Sequence, residues 1–204
     1  MRLRRVLRCL PVLMLLMLPI TAAAQGISYG VKGGINFATV SFDPSADINS
    51  GYRIGIAAGG FVALPLGSRL TIQPEGLFSQ KGEKADLDGV TAKLELDYIE
   101  VPVLVKYAIT QGASRSFHVF GGPSMAFKIR SRATASFGDT TVETGEDEII
   151  KDTDFGVVVG AGMDFGKWSV DGRYTMGFAD INNDDADETK IRTRTISVLA
   201  GIRF

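Results

Sequence analysis

Few residues in this 204-residue chain have the types and spacing that chemistry requires. His118 is the only histidine, and a histidine can relay a proton to a serine such as Ser124 when the two groups touch. They stand six residues apart on what reads as one strand, or ~20 Å of extended chain, so no proton can pass directly. His118 is therefore read as a polar residue of the interior. Gly160-Ala161-Gly162 follows Val157-Val158-Val159 as a phosphate-binding turn would, but such a turn needs a helix after it. Trp168 to Tyr174 alternates as another strand instead, which assigns the glycines to close packing. Asp180, Asn182, Asp184 and Asp187 offer hard oxygens to a divalent cation. Asp185 stands where a calcium loop needs glycine, and Ile191 where it needs a bidentate glutamate, so only weak cation affinity is expected there. Glu143, Glu146, Asp147, Glu148 and Asp152 read in the same way, as a solvated acidic loop. No cofactor and no enzymatic activity is expected from these groups.

The elements that position them begin after an export segment. Arg2, Arg4, Arg5 and Arg8 form a basic start, Leu10 to Ile20 is apolar apart from Pro11 and Pro19, and Thr21-Ala22-Ala23-Ala24 suits a signal peptidase. The apolar run is shorter than the ~20 residues of a spanning helix. Residues 1–24 are thus expected to be a cleaved signal peptide and residues 25–204 the working domain. Cleavage removes four of 22 basic side chains and none of 23 acidic ones, leaving a formal charge of -5, which speaks against nucleic acid as a partner. It also removes Cys9, the only cysteine, so the exported chain owes nothing to disulfides. Cys9 lies too early, and without the small residues needed, to be a lipoprotein site.

The remaining sequence alternates with period two almost throughout, and no stretch of about 18 apolar residues is left for a membrane helix. One face collects Val31, Ile35, Ile54, Ile56, Val101, Val103, Val105, Val119, Val159, Val170, Ile196 and Val198. The other collects Lys32, Asn36, Arg53, Gln73, Glu75, Lys81, Glu100, Lys106, Lys128, Asp154, Asp164, Asp171, Arg173 and Arg203. Lysine or arginine facing lipid near the midplane would cost about 2–4 kcal/mol each. Both faces are satisfied by an all-β, eight-stranded antiparallel up-and-down barrel with its apolar side outward and its charges in the lumen.

Connections and aromatics repeat the message. Short links at 65–68, 110–116 and 166–167 alternate with polar segments at roughly 41–50, 83–93, 131–152 and 180–190, as periplasmic turns alternate with external loops. Phe117 and Phe127, Phe155 and Phe165, and Trp168 and Phe178 are each ten residues apart. Ten residues rise ~33 Å, or about 25 Å along the membrane normal at ~40° tilt, which is the height of an apolar band. Tyr29, Tyr107, Phe117, Phe165, Trp168 and Phe204 are expected to form one aromatic girdle, and Phe37, Tyr52, Phe78, Phe127, Phe155 and Phe178 the other. Tyr98 has the wrong parity for a girdle, which calls for a bulge or an inward side chain.

Leu96-Asp97-Tyr98-Ile99-Glu100-Val101-Pro102-Val103-Leu104-Val105-Lys106-Tyr107 resembles the Tyr-Ile-Glu-hydrophobic-Pro-hydrophobic-Lys-Tyr strand of the PorT-like outer-membrane barrel family. Phe120-Gly121-Gly122-Pro123, Phe155 to Gly162 and Arg173-Tyr174-Thr175-Met176-Gly177 are similar to later blocks of that family, in the same order. The resemblance implies a bacterial outer-membrane location, surrounding lipids, and barrel-assembly machinery as a partner during biogenesis. It also implies a component of protein secretion as an alternative role, whereas the residues themselves point first to an anchor whose external loops meet an extracellular or periplasmic protein. A narrow pore is the third. Edman sequencing of protein recovered from the membrane should begin at Gln25; a chain beginning at Met1 would remove the export reading.

Overall fold

A computed structural model describes residues 26–43, 50–87, 90–110, 112, 115–137, 140–144, 153–178 and 190–204. The segment 1–24 and the cation candidates Asp180, Asn182, Asp184 and Asp187 lie outside these residues. Every described element is a strand: β1 (Ser28–Asp43), β2 (Ser50–Pro65), β3 (Leu70–Leu87), β4 (Val90–Ala108), β5 (Ser116–Phe137), β6 (Thr140–Thr144), β7 (Thr153–Phe165), β8 (Trp168–Gly177) and β9 (Lys190–Arg203). All pairings are antiparallel between neighbours in the chain, with β5 joining β7 directly. The ladder from Gly30↔Arg203 to Asp43↔Lys190 joins β1 to β9 and closes eight strands into a barrel. β6 pairs with Ala133–Phe137 of β5, beyond the stretch of β5 that pairs with β7.

Alternation decides which side chains face out. Tyr29, Ile54 and Trp168 are 63%, 68% and 60% exposed, whereas Asn36 and Asp171 of opposite parity are 1% and 2% exposed. Tyr98 is buried inside, and the register beside it steps from Asp97↔Arg130 to Tyr98↔Lys128, passing over Ile129. A one-residue bulge in β5 thus accompanies an inward tyrosine. The short links are tight. Gly166, at φ 59°, takes the left-handed conformation that a two-residue hairpin between Phe165 and Trp168 requires. Inside the wall, a Cβ at Gly34 would collide with the backbone of Val198 and Leu199, so the inward side admits no side chain there.

Three expected loops differ from the sequence reading. β1 reaches Asp43, β3 and β4 leave only residues 88–89 between them, and β5 runs to Phe137 before β6. The segment 131–152, read as the longest stretch without strands, therefore contains the end of β5 and all of β6. The reason is physical. Beyond the bilayer both faces of a strand meet water, so the apolar–polar alternation that marks a strand fades while its hydrogen-bond ladder continues.

A closed ladder leaves no backbone group for solvent to attack, so unboiled protein should run apart from boiled protein on a detergent gel. Gly34→Val should cost about 1–3 kcal/mol by overpacking and lower the unboiled fraction; an unchanged band pattern would mean that the wall yields there.

Candidate functional site: an ion-paired lumen beneath a raised rim

The charges that parity sends inward meet in two layers. In the layer towards the short turns, Lys32 Nζ on β1 donates to Glu75 Oε1 on β3 at 2.8 Å and to Asp171 Oδ2 on β8 at 2.9 Å. Arg173 Nη1 donates to Glu75 Oε2 at 2.8 Å, its Nη2 lies 3.6 Å from Asp171 Oδ2, and Gln73 Nε2 donates to Glu75 Oε1 at 2.6 Å. His118 Nε2 is 3.1 Å from Asp171 Oδ1 and its Nδ1 3.2 Å from Asp164 Oδ2. His118 thus bridges two carboxylates. Ser124, the hydroxyl weighed against it, is buried six residues further along β5.

Removing these groups from water carries a penalty of several kcal/mol per ion, which only close pairing offsets. Two basic side chains, Lys32 and Arg173, face two carboxylates, Glu75 and Asp171, and all four are buried. Aromatic faces assist: Lys32 Nζ lies 5.0 Å from the centre of the Phe61 ring, and Arg173 Cζ 5.5 Å from that of Phe120. Lys106 and Arg203, half-buried, lie nearer the short-turn mouth.

The outer layer is separate. Lys81 pairs with Glu100 and lies 5.5 Å from the centre of the Tyr98 ring. Asn36 Nδ2 donates to Ser79 Oγ at 2.9 Å, and Thr193 Oγ1 to Asp154 Oδ2 at 2.7 Å. Arg53 Nη2 is 3.3 Å from Glu95 Oε1, and Lys128 is half-buried opposite Tyr98. Between the layers lie two apolar clusters, Ala57–Leu77–Leu199 and Leu104–Phe120–Val158. The sequence reading missed them, although their parity matches that of the charges: Leu77 follows Glu75, and Leu104 precedes Lys106, by two residues.

On the outside, Tyr29, Tyr107, Phe117, Trp168 and Phe204 are exposed near the short turns, with Phe165 partly so. Phe127, Phe155 and Phe178 are exposed at the other end, Phe37 and Phe78 partly, and the side chain of Tyr52 lies outside the described residues. The Tyr29 and Phe204 rings sit 5.9 Å apart where β1 meets β9. Above the second ring the wall continues. The β3–β4 ladder runs unbroken from Leu77↔Glu100 to Leu87↔Val90, and β4 follows β5 from Asp97↔Arg130 up to Val90↔Phe137. Strands of 18 residues in β3 and 19 in β4 rise ~60 Å along their length, about 45 Å along the normal, well beyond a band of about 25 Å.

An apolar exterior around an ion-paired polar interior, closed without edges, defines a transmembrane β-barrel. Residues 23–183 match the family described as outer membrane protein beta-barrel domain, and the chain belongs to it, which places it in the bacterial outer membrane. No curated protein matches the sequence. Among solved structures, Ail, the attachment invasion locus protein of Yersinia pestis, is 14% identical over 88% of this chain and 100% of its own, with a TM-score of 0.48. Neisserial surface protein A is likewise 14% identical over 88% and 100%, at 0.48. OprG from Pseudomonas aeruginosa is 8% identical over 87% and 95%, at 0.49.

Glu75→Ala should destabilise the barrel by about 3–5 kcal/mol, because it leaves two buried cations, Lys32 and Arg173, to share the single carboxylate of Asp171. Urea titration in lipid vesicles measures this, and a loss below ~1 kcal/mol would show that water reaches the cluster.

Proposed function

We propose that the protein is a non-enzymatic anchor whose barrel holds a raised external rim towards a partner. The observation that carries this reading is the continuation of β3, β4 and β5 past the outer aromatic girdle, with β6 added beside β5. Lipid contact and lumen pairing account for residue choice within the membrane. Neither accounts for strands beyond it, and segments longer than a hairpin needs are commonly functional. The acids that the sequence places at 143–152 and 180–188 favour cationic or ion-bridged partners at this end.

Two features oppose the pore reading: eight strands leave an interior that side chains fill, and the lumen has an apolar zone between its charged layers. The finer kinship with PorT-like barrels belongs to this same proposal, with secretion work as the alternative, as do export by a cleaved signal and short turns facing the periplasm. Replacing residues 133–144 with a Gly-Ser linker should leave the boiled–unboiled shift intact while removing whatever partner photo-crosslinks through that hairpin on intact cells. Retention of the same crosslinked partner would overturn the anchor-and-rim reading. So would a reproducible step conductance of the purified protein in planar bilayers, in favour of the pore.

A further inference from the structure

The cations of the inner layer outnumber their carboxylates, and the surplus faces a cavity. Lys32 and Arg173 are matched by Glu75 and Asp171. Asp164 faces His118, its Oδ2 lying 3.2 Å from the ring Nδ1. Lys106 then remains. It is half-buried and forms no ion pair among the described residues. Its neighbours at the short-turn mouth are Arg203, whose Nη2 donates to the Gly166 carbonyl at 3.2 Å, and Arg69, whose Nη1 reaches the Tyr107 hydroxyl at 3.5 Å. Both partners are neutral.

These three cations, with His118 and Asp164, line a cavity of about 60 Å³ that opens at the mouth, and Lys106, Arg203 and Asp164 also line a smaller one of about 10 Å³ beside it. The larger space holds about four to six waters, enough for one phosphate or carboxylate group. The ion network of Lys32, Glu75 and Asp171 lies deeper in the lumen, so a ligand enters from the short-turn side alone.

We propose that this mouth is an oxyanion socket, in which Lys106, Arg203 and Arg69 hold one phosphate or carboxylate group. A guanidinium offers paired donors to either anion and an ammonium adds a point charge, and Arg69 would have to turn from the Tyr107 hydroxyl to take part. Asp164 lines the same cavity and opposes an entering anion, so the cations must outweigh it there. The socket lies at the opposite end of the barrel from the rim and stands or falls independently of the rim's partner.

Calorimetric titration of the full-length mature protein in neutral detergent tests this, with inorganic phosphate in one arm and N-acetylalanine in the other, chloride keeping the ionic strength constant. A saturable one-site isotherm is expected. Tighter binding of phosphate identifies a free oxyanion as the source, and tighter binding of N-acetylalanine a peptide terminus. Lys106→Gln should weaken either by about tenfold or more while keeping the gel shift, since it removes a charge that lines the cavity. Arg69→Gln, at an exposed position, should weaken binding as well and serves if the Lys106 variant does not assemble. Arg130→Gln, exposed towards the rim, should change nothing. Absence of saturation with both anions, or Lys106→Gln and Arg69→Gln each binding like the parent, would overturn the socket.

Discussion

The structure depends on one requirement, that no backbone N–H or C=O be left facing hydrocarbon without a partner. A sheet meets it only by closing, which here falls to the pairing of β1 with β9. Closure fixes the rest. It gives each strand an outer and an inner face, forces alternate residues into environments of opposite polarity, and makes the interior small enough for side chains to fill. The girdle follows from the outer face and the ion network from the inner one.

Within the lumen, charge is arranged to cancel locally. Glu75 sits between Lys32 and Arg173, and Asp171 between Lys32 and His118, so each carboxylate is shared by two donors from different strands. Such sharing ties β1, β3, β5 and β8 across the axis, where the ladder ties only neighbours. The apolar clusters around Leu77 and Leu104 separate this network from the Lys81–Glu100 pair, so the two polar layers are independent units.

Much of this was legible because period two is an unambiguous signal within a membrane. Lys32 beside Val31, or Asp171 beside Val170, can be assigned to a face from parity alone. The partners could not. Pairing Lys32 with Glu75 rather than Glu100 depends on strand tilt and stagger, which the sequence does not express. The strand extents failed for a different reason: Ser131 to Phe137 has no apolar face because no lipid lies beside it, and the ladder there is set by continuity with β4. His118 was read as a lumen residue, but its place between two carboxylates needed coordinates, since Asp164 and Asp171 flank a hairpin 46 and 53 residues away.

The Lys32 network also bears on the order of events during membrane insertion. Lys32 finds Glu75 43 residues later in the chain and Asp171 139 residues later. β8 brings Asp171 and Arg173 together, so its arrival adds one carboxylate and one guanidinium and no net charge. Lys32 and Glu75 already balance each other without it, and with it each gains a second partner. The lumen can therefore grow by balanced steps, and no stage of closure need carry a bare charge into hydrocarbon.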